Sequence, residues 1–313
     1  MSDEVAEATA RLRAAGVDNP RLDARLLWEF AQKSYPPLEG GSKFAEQISG
    51  RGPAQTERSA PDPSPKNPSD FSILPQGEGE AIARFHRLIA RRITREPLAY
   101  ITGLKEFWSI ELGVGPGVLI PRPDTETLIE TALQLYPDKS APLSILDLGT
   151  GSGALLIAAL HEYPHAVGVG IDRSPEALFW ARLNVDVRDL QSRATLIESG
   201  WLEEAKPGFD LLLCNPPYIP SDDIDTLEPE VARFEPRGAL DGGPDGLDAY
   251  RALATRIGHL LRPGGHALLE LGIGQGDTVA ALMRENGLQT VRFTADLAGI
   301  PRCLAVRRNN TQA

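Results

Sequence analysis

The chain has 313 residues, 43 acidic against 32 basic side chains (net charge −11) and 42% hydrophobic residues, enough for one large domain and a smaller one with a sizeable core. That acidity argues against a surface built to attract nucleic acid and leaves room for an electropositive partner. Two cysteines, Cys214 and Cys303, both in apolar runs, argue against a disulfide framework; five scattered histidines give no metal-binding spacing; and no apolar run has the length of a signal peptide or membrane span, so a cytoplasmic protein without metal or membrane is expected.

Residues 4–33 repeat apolar and Ala positions at helical spacing, with Leu22, Leu26 and Leu27 on one face, and Asn19-Pro20 divides them into two helices. Residues 36–79 are rich in Pro, Gly, Ser and charge; Pro61-Asp62-Pro63-Ser64-Pro65-Lys66-Asn67-Pro68 fits neither helix nor central strand, and the stretch reads as a disordered insertion, a passive linker. Helix returns over 80–95, with Ile82, Phe85, Leu88 and Ile89 as its apolar stripe. Its polar side carries Arg84, Arg87, Arg91, Arg92 and Arg95, either a solvated face or a surface for RNA or an acidic patch. Residues 97–120 alternate weakly between turn glycines and predict a β-hairpin joining two domains. The expected division is a helical domain over 1–96, the hairpin over 97–120 and a larger domain over 121–313.

In the larger domain a helix is expected over 127–136 and strands over 143–148, 166–171, 194–197, 209–214, 265–271, 288–294 and 302–307, with helices between most of them. That alternation predicts an α/β fold with a mainly parallel sheet. The first strand runs into Asp147-Leu148-Gly149-Thr150-Gly151-Ser152-Gly153 and then a helix: a strand, a glycine turn permitting positive φ and close backbone approach, and a helix N-terminus. The spacing is G-x-G-x-G, a poor match to a dinucleotide fold. Asp147 would repel a phosphate but suits a ligand with an ammonium or sulfonium. Asp172, at the end of the next strand, is placed for ribose hydroxyls or as a helix cap before Ser174-Pro175-Glu176. These features favour a nucleoside with a cationic tail, such as S-adenosylmethionine, over NAD.

The fourth strand ends in Asn215-Pro216-Pro217-Tyr218. Ligands of open α/β sheets bind outside the carboxyl ends of strands. Asn215 offers a carbonyl acceptor, each Pro removes a backbone donor, and Tyr218 adds an apolar wall with a polar tip, a corner suited to an –NH2 group. The alternative is an ordinary tight turn. The acidic stretch 219–248 reads as a lid or a substrate-facing loop.

Together the glycine turn, Asp172 and Asn215-Pro216-Pro217-Tyr218 resemble a class I S-adenosylmethionine-dependent methyltransferase acting on an amide or amino nitrogen. Glu96-Pro97-Leu98-Ala99-Tyr100-Ile101-Thr102-Gly103, Glu106-Phe107-Trp108 and Leu119-Ile120-Pro121-Arg122-Pro123-Asp124-Thr125-Glu126 are similar to the peptide chain release factor N5-glutamine methyltransferase family (PrmC/HemK). The resemblance implies a Rossmann-like sheet closed by an antiparallel C-terminal hairpin, with a small N-terminal helical domain. It implies S-adenosylmethionine bound by Asp147, Gly149, Thr150, Gly151, Ser152, Gly153, Asp172 and Asn215, with Trp201 beside the adenine. It also implies catalysis by Asn215, Pro216 and Tyr218, with Pro217 completing the substrate site, on release factors as protein partners. The insertion over 36–79 departs from the family's compact helical domain. A monomer with no direct nucleic-acid substrate is expected. Two other readings are an adenine or guanine amino methyltransferase of nucleic acid and a non-catalytic cofactor-binding adaptor; acidity opposes the first and the intact Asn-Pro-Pro-Tyr corner the second.

Overall fold

The computed structural model describes residues 2–33, 76–200 and 207–308. The chain divides into two compact units, Met1–Gly103 and Leu104–Ala313. The insertion expected over 36–79 lies outside the described residues except at its end, where helix begins at Gln76 rather than at residue 80.

In the first unit α1 (Ser2–Ala14), α2 (Pro20–Gln32), α3 (Gln76–Ile93) and the single-turn α4 (Leu98–Thr102) surround an apolar centre. Leu12, Leu27, Phe85 and Ile89 are fully enclosed, and Trp28 meets Phe85 edge-on at 5.1 Å. The buried face of α2 is Ala24, Leu27, Trp28 and Ala31, an i, i+3, i+4, i+7 stripe; Leu22 falls off it and is 45% exposed, against the sequence expectation. The arginines on and just beyond α3 are largely committed within the unit. Arg92 Nε bonds Asp23 Oδ2 at 2.7 Å with both side chains buried, Arg91 chelates Glu96, Arg95 donates to the Gly16 carbonyl at 2.6 Å, and Arg84 to that of Lys33 at 3.0 Å. The expected basic face therefore acts chiefly as stitching.

The hairpin is shorter than residues 97–120. Pro97 and the left-handed Gly103 (φ 74°) bracket α4, and only β1 (Leu104–Phe107) and β2 (Ile110–Gly113) pair, antiparallel. Their two-residue turn places Trp108 and Ser109 at φ 54° and 56°, the twist a tight hairpin requires. Trp108 is held there by its N–H to Glu126 and its indole N–H to Glu162.

Beyond the hairpin follow α5 (Glu126–Leu135), β3 (Ser144–Leu148), α6 (Ala154–Glu162), β4 (Val167–Asp172), α7 (Pro175–Val187), β5 (Ala194–Glu198) and β6 (Phe209–Cys214). Then come α8 (Pro229–Phe234), α9 (Asp248–Ala254), α10 (Ile257–Leu260), β7 (Leu261–Glu270), α11 (Gly276–Glu285), β8 (Leu288–Ala295) and β9 (Pro301–Arg308). The sheet order is β5-β4-β3-β6-β7-β9-β8, parallel through β7, with β9 antiparallel to both β7 and β8. The inner strands are continuous apolar runs because both faces are covered. Ile145, Leu211, Leu213 and Leu268 join the layer containing α5 and α6, while Leu146, Leu148, Leu212 and Leu269 join that of α9 and α11.

Strand register aligns the carboxyl edge of the sheet. Leu148 pairs with Ile171 on one side and Cys214 on the other, and Cys214 pairs with Leu269. The next residue of each strand, Asp172, Gly149, Asn215 and Glu270, therefore falls on one line at that edge.

Removing one member of a buried ion pair typically destabilises by about 3–5 kcal/mol. Asp23→Ala should accelerate amide hydrogen exchange in α2 and α3 while leaving the sheet of Leu104–Ala313 unchanged. Wild-type protection in both helices would contradict the importance given to the Arg92–Asp23 pair.

Candidate active site

The glycine turn is built on three left-handed residues, Gly149 (φ 70°), Gly151 (φ 56°) and Gly153 (φ 82°), a run that side chains bearing Cβ would strain. The backbone N–H groups of Gly149 and Thr150 both bond the Ile171 carbonyl, at 2.8 and 2.9 Å. Asp172 completes the clamp: Oδ2 accepts from Gly151 N–H and Oδ1 from Ser174 N–H, each at 2.9 Å. The cap of α7 is Ser174, whose hydroxyl accepts the Ala177 N–H, so Asp172 fixes the turn rather than capping the helix.

The turn faces a cavity. Gly149, Thr150, Gly151, Ser152, Asp172, Asn215 and Pro217, all picked out from the sequence, line it. A Cβ built on Gly149 would meet no atom within 4 Å, so it would stand in open space where a ligand can instead lie against the backbone. Four of the other sequence candidates are set back from that wall. Gly153 packs against Ile157 and Ala181, Pro216 is buried, and Tyr218 leans on the apolar layer beyond β6. Asp147 is 1% exposed; its Oδ2 accepts from the Thr150 hydroxyl (2.6 Å) and the Leu156 N–H (3.2 Å), tying the turn to the first turn of α6. Its expected direct contact with a cationic ligand gives way to this structural task. Burial pushes its carboxyl up to about 7, and Oδ1 is enclosed without a hydrogen-bond partner. Trp201 lies outside the described residues.

At the carboxyl end of β6, Asn215 Nδ2 donates to the Thr125 hydroxyl at 3.2 Å. Among the described residues neither Asn215 Oδ1 nor the Pro216 carbonyl accepts a hydrogen bond. The Tyr218 hydroxyl donates to Glu270 Oε1 at 3.2 Å, and the Tyr218 carbonyl is held by Gln275 Nε2 at 2.9 Å. Burial, then the negative Glu270, push the Tyr218 phenol well above its usual range.

Sequence reasoning did not assign roles to Thr125 and Glu270. Glu270 is 1% exposed, and burial raises its carboxyl to about 7 against the opposing influence of Thr125, Tyr218 and Arg302. The available signal was an acid closing the apolar run Ala267-Leu268-Leu269, in the position that Asn215 occupies on its own strand. The stretch 219–248 folds back through a bridge between Ile219 and Asp241. It is pinned by Glu235, which binds Arg122 and the Ile120 N–H, and by Arg173, which donates to the Gly238 carbonyl. Pro236, Gly238 and Ala239 from this stretch line the cavity.

Residues 125–228 match the family model "Methyltransferase small domain", and residues 74–103 match "PrmC N-terminal domain". The release factor glutamine methyltransferase of Caulobacter vibrioides is 43% identical over 292 residues, covering 93% of this chain and 90% of the relative. Those of Rhodospirillum rubrum (42%, covering 95% and 82%) and Moorella thermoacetica (39%, covering 98% and 99%) align over similar extents. The chain belongs to the release factor glutamine methyltransferase family. Membership in this family of S-adenosylmethionine-dependent enzymes sets aside the nucleic-acid and adaptor readings. Among the described residues of this release factor glutamine methyltransferase, no helix is long and apolar enough to cross a membrane.

Asp147 titrates near 3.9 in an unfolded chain, so the folded state retains its proton between about pH 4 and about pH 7 where the unfolded state has lost it. Its contribution to stability is complete below that window and is lost as pH rises through it. Asp147→Asn should flatten the fall in urea midpoint across the window; an unchanged pH slope would contradict the buried, protonated carboxyl.

Proposed function

We propose that this enzyme transfers the methyl group of S-adenosylmethionine to the side-chain amide nitrogen (N5) of the glutamine in the Gly-Gly-Gln motif of peptide chain release factors. The observation that carries this reading is the pair of uncommitted acceptors, Asn215 Oδ1 and the Pro216 carbonyl, at the carboxyl end of β6, where Asn215 and Pro217 line the cavity. A primary carboxamide has two N–H donors and a nitrogen lone pair delocalised into its carbonyl. Two rigid acceptors, one per N–H, fix the amide plane and turn the lone pair toward the cavity.

The fit to the donor rests on the same wall. Asp172 gives each oxygen to one backbone N–H and keeps further lone pairs for ribose hydroxyls. The side-chain-free Gly149 lets a nucleoside approach the turn closely. When bound, S-adenosylmethionine supplies an electrophilic methyl group on a sulfonium. The carbon–sulfur bond breaks as the nitrogen–carbon bond forms, S-adenosylhomocysteine leaves, and the proton lost from nitrogen passes to water. Asn215 and Pro216 accept more strongly from the nitrogen as it becomes positive, so the corner favours the transition state over the ground state. Tyr218, set back from the cavity wall, is fixed at the end of the corner by Glu270 and Gln275.

Incubation with methyl-labelled S-adenosylmethionine should label a release factor, and a factor whose motif glutamine is replaced by alanine should take up none. Asn215→Ala should lower kcat by about 100-fold, in the range found when a preorganised polar contact is removed from an active site. Its affinity for S-adenosylhomocysteine by calorimetry should stay close to wild type. Undiminished turnover in Asn215→Ala, or label that persists on the alanine factor, would contradict this reading.

A further inference from the structure

A carboxamide is nearly symmetrical in shape, and turning it over exchanges an acceptor for a donor. Asn215 grips a substrate N–H only with Oδ1 outward; reversed, it would present N–H to N–H. Its inner neighbour is the Thr125 hydroxyl, 3.2 Å from Nδ2. A hydroxyl alone does not select an orientation, since it can donate to an oxygen or accept from a nitrogen. Selection requires that its one hydrogen be committed elsewhere.

Glu270 is the group on which that hydrogen can be spent. It leaves β7 on the same line as Asn215 leaves β6, because Cys214 pairs with Leu269. The Thr125 hydroxyl favours the charged form of the Glu270 carboxyl without itself bonding Oε2. Glu270 Oε1 already accepts from the Tyr218 hydroxyl, while Oε2 is enclosed and has no hydrogen-bond partner, which leaves it an unused acceptor position. An ionised carboxylate only accepts, so it draws the hydrogens of both hydroxyls toward itself. The lone pairs of Thr125 then face Asn215 Nδ2.

We propose that Glu270, acting through the Thr125 hydroxyl, sets which way round the Asn215 carboxamide stands and is thereby a positioning residue for methyl transfer. This rests on the function proposed above. The same arrangement makes orientation depend on the charge of Glu270, because a protonated carboxyl becomes a donor and frees the Thr125 hydrogen. The groups around Glu270 are known from every side. Thr125 and Asp124 precede α5, Tyr218 follows β6, Cys214 ends β6, Tyr250 on α9 donates to the Glu270 carbonyl at 2.7 Å, and Cys303 and Arg302 lie on β9. Arg302, shared with Asp124 and Asp296, favours the carboxylate and Asp124 opposes it; burial raises both thiols, which stay neutral and leave the balance to the carboxyl.

The test uses the full-length enzyme, a release factor and labelled S-adenosylmethionine, with kcat, KM and S-adenosylhomocysteine affinity measured from acid to alkaline pH. Glu270→Gln should lower kcat by about tenfold to a hundredfold, the scale of a misplaced catalytic contact, with cofactor affinity unchanged. Wild-type kcat should fall as pH drops through neutrality, and Glu270→Gln should lose that limb. Thr125→Val should reproduce the loss, Thr125→Ser should restore activity, and Glu270→Gln should add nothing to Asn215→Ala. If Glu270→Gln does not fold, the Thr125 pair decides. Wild-type kcat in Glu270→Gln or Thr125→Val, or a reduced kcat that keeps the wild-type pH limb, would overturn the proposal. Failure of the wild-type enzyme to label the release factor would instead overturn the function on which it rests.

Discussion

Four parallel strands that end in register constrain this site more than any single contact. Hydrogen bonding brings Leu148, Ile171, Cys214 and Leu269 onto one line, and the residues next in the chain are a glycine, an aspartate, an asparagine and a glutamate. Two of these strands then stop for a local reason. Gly149 turns left-handed, and Pro216 and Pro217 have no N–H with which to extend the ladder. A one-residue slip of β6 would send Asn215 to the wrong face of the sheet, and the apolar layers on both faces oppose such a slip. The buried core and the site are thus one arrangement, since the packing that fixes strand register also fixes the corner.

That edge gathers acidic side chains. Asp147, Asp172 and Glu270 are all buried near the ends of adjoining strands, and Asp172 adds to the upward push on Asp147. Such a cluster is unfavourable for folding alone, and two of the three carboxylates retain an enclosed oxygen without a partner. Asp172 is offset by two backbone N–H groups and Glu270 by Tyr218 and Arg302. Asp147, whose carboxyl burial keeps protonated up to about pH 7, adds no charge there for a sulfonium. Its own work is to hold Thr150 and the start of α6.

The inner strands were legible because parallel strands buried on both faces are unbroken apolar runs. The glycine turn and the Asn-Pro-Pro-Tyr corner were legible because their chemistry is local in sequence. Other features depend on what the fold brings together. Thr125 sits in a recognisable stretch, but its bond to Asn215 exists only once α5 packs beside β6 and β7. Glu270 ends its strand as a single acid, and its relation to Asn215 appears only through register. The five-residue α4 is too short to show helical periodicity, and the turn at Trp108-Ser109 lacks the Asn-Gly signature of its backbone shape. The arginine-rich side of α3 was legible as charge but not as stitching, because its partners at Asp23, Gly16 and Lys33 belong to other parts of the helical unit.

The central claim is that two oxygens at the end of β6 hold a glutamine carboxamide in line with a methyl donor. The most direct measurement is a crystal structure of the enzyme with S-adenosylhomocysteine and a peptide carrying Gly-Gly-Gln. The account predicts the peptide's amide nitrogen within hydrogen-bonding distance of both Asn215 Oδ1 and the Pro216 carbonyl, facing the sulfur. A glutamine side chain seated elsewhere, with that corner closed by neighbouring side chains, would contradict it.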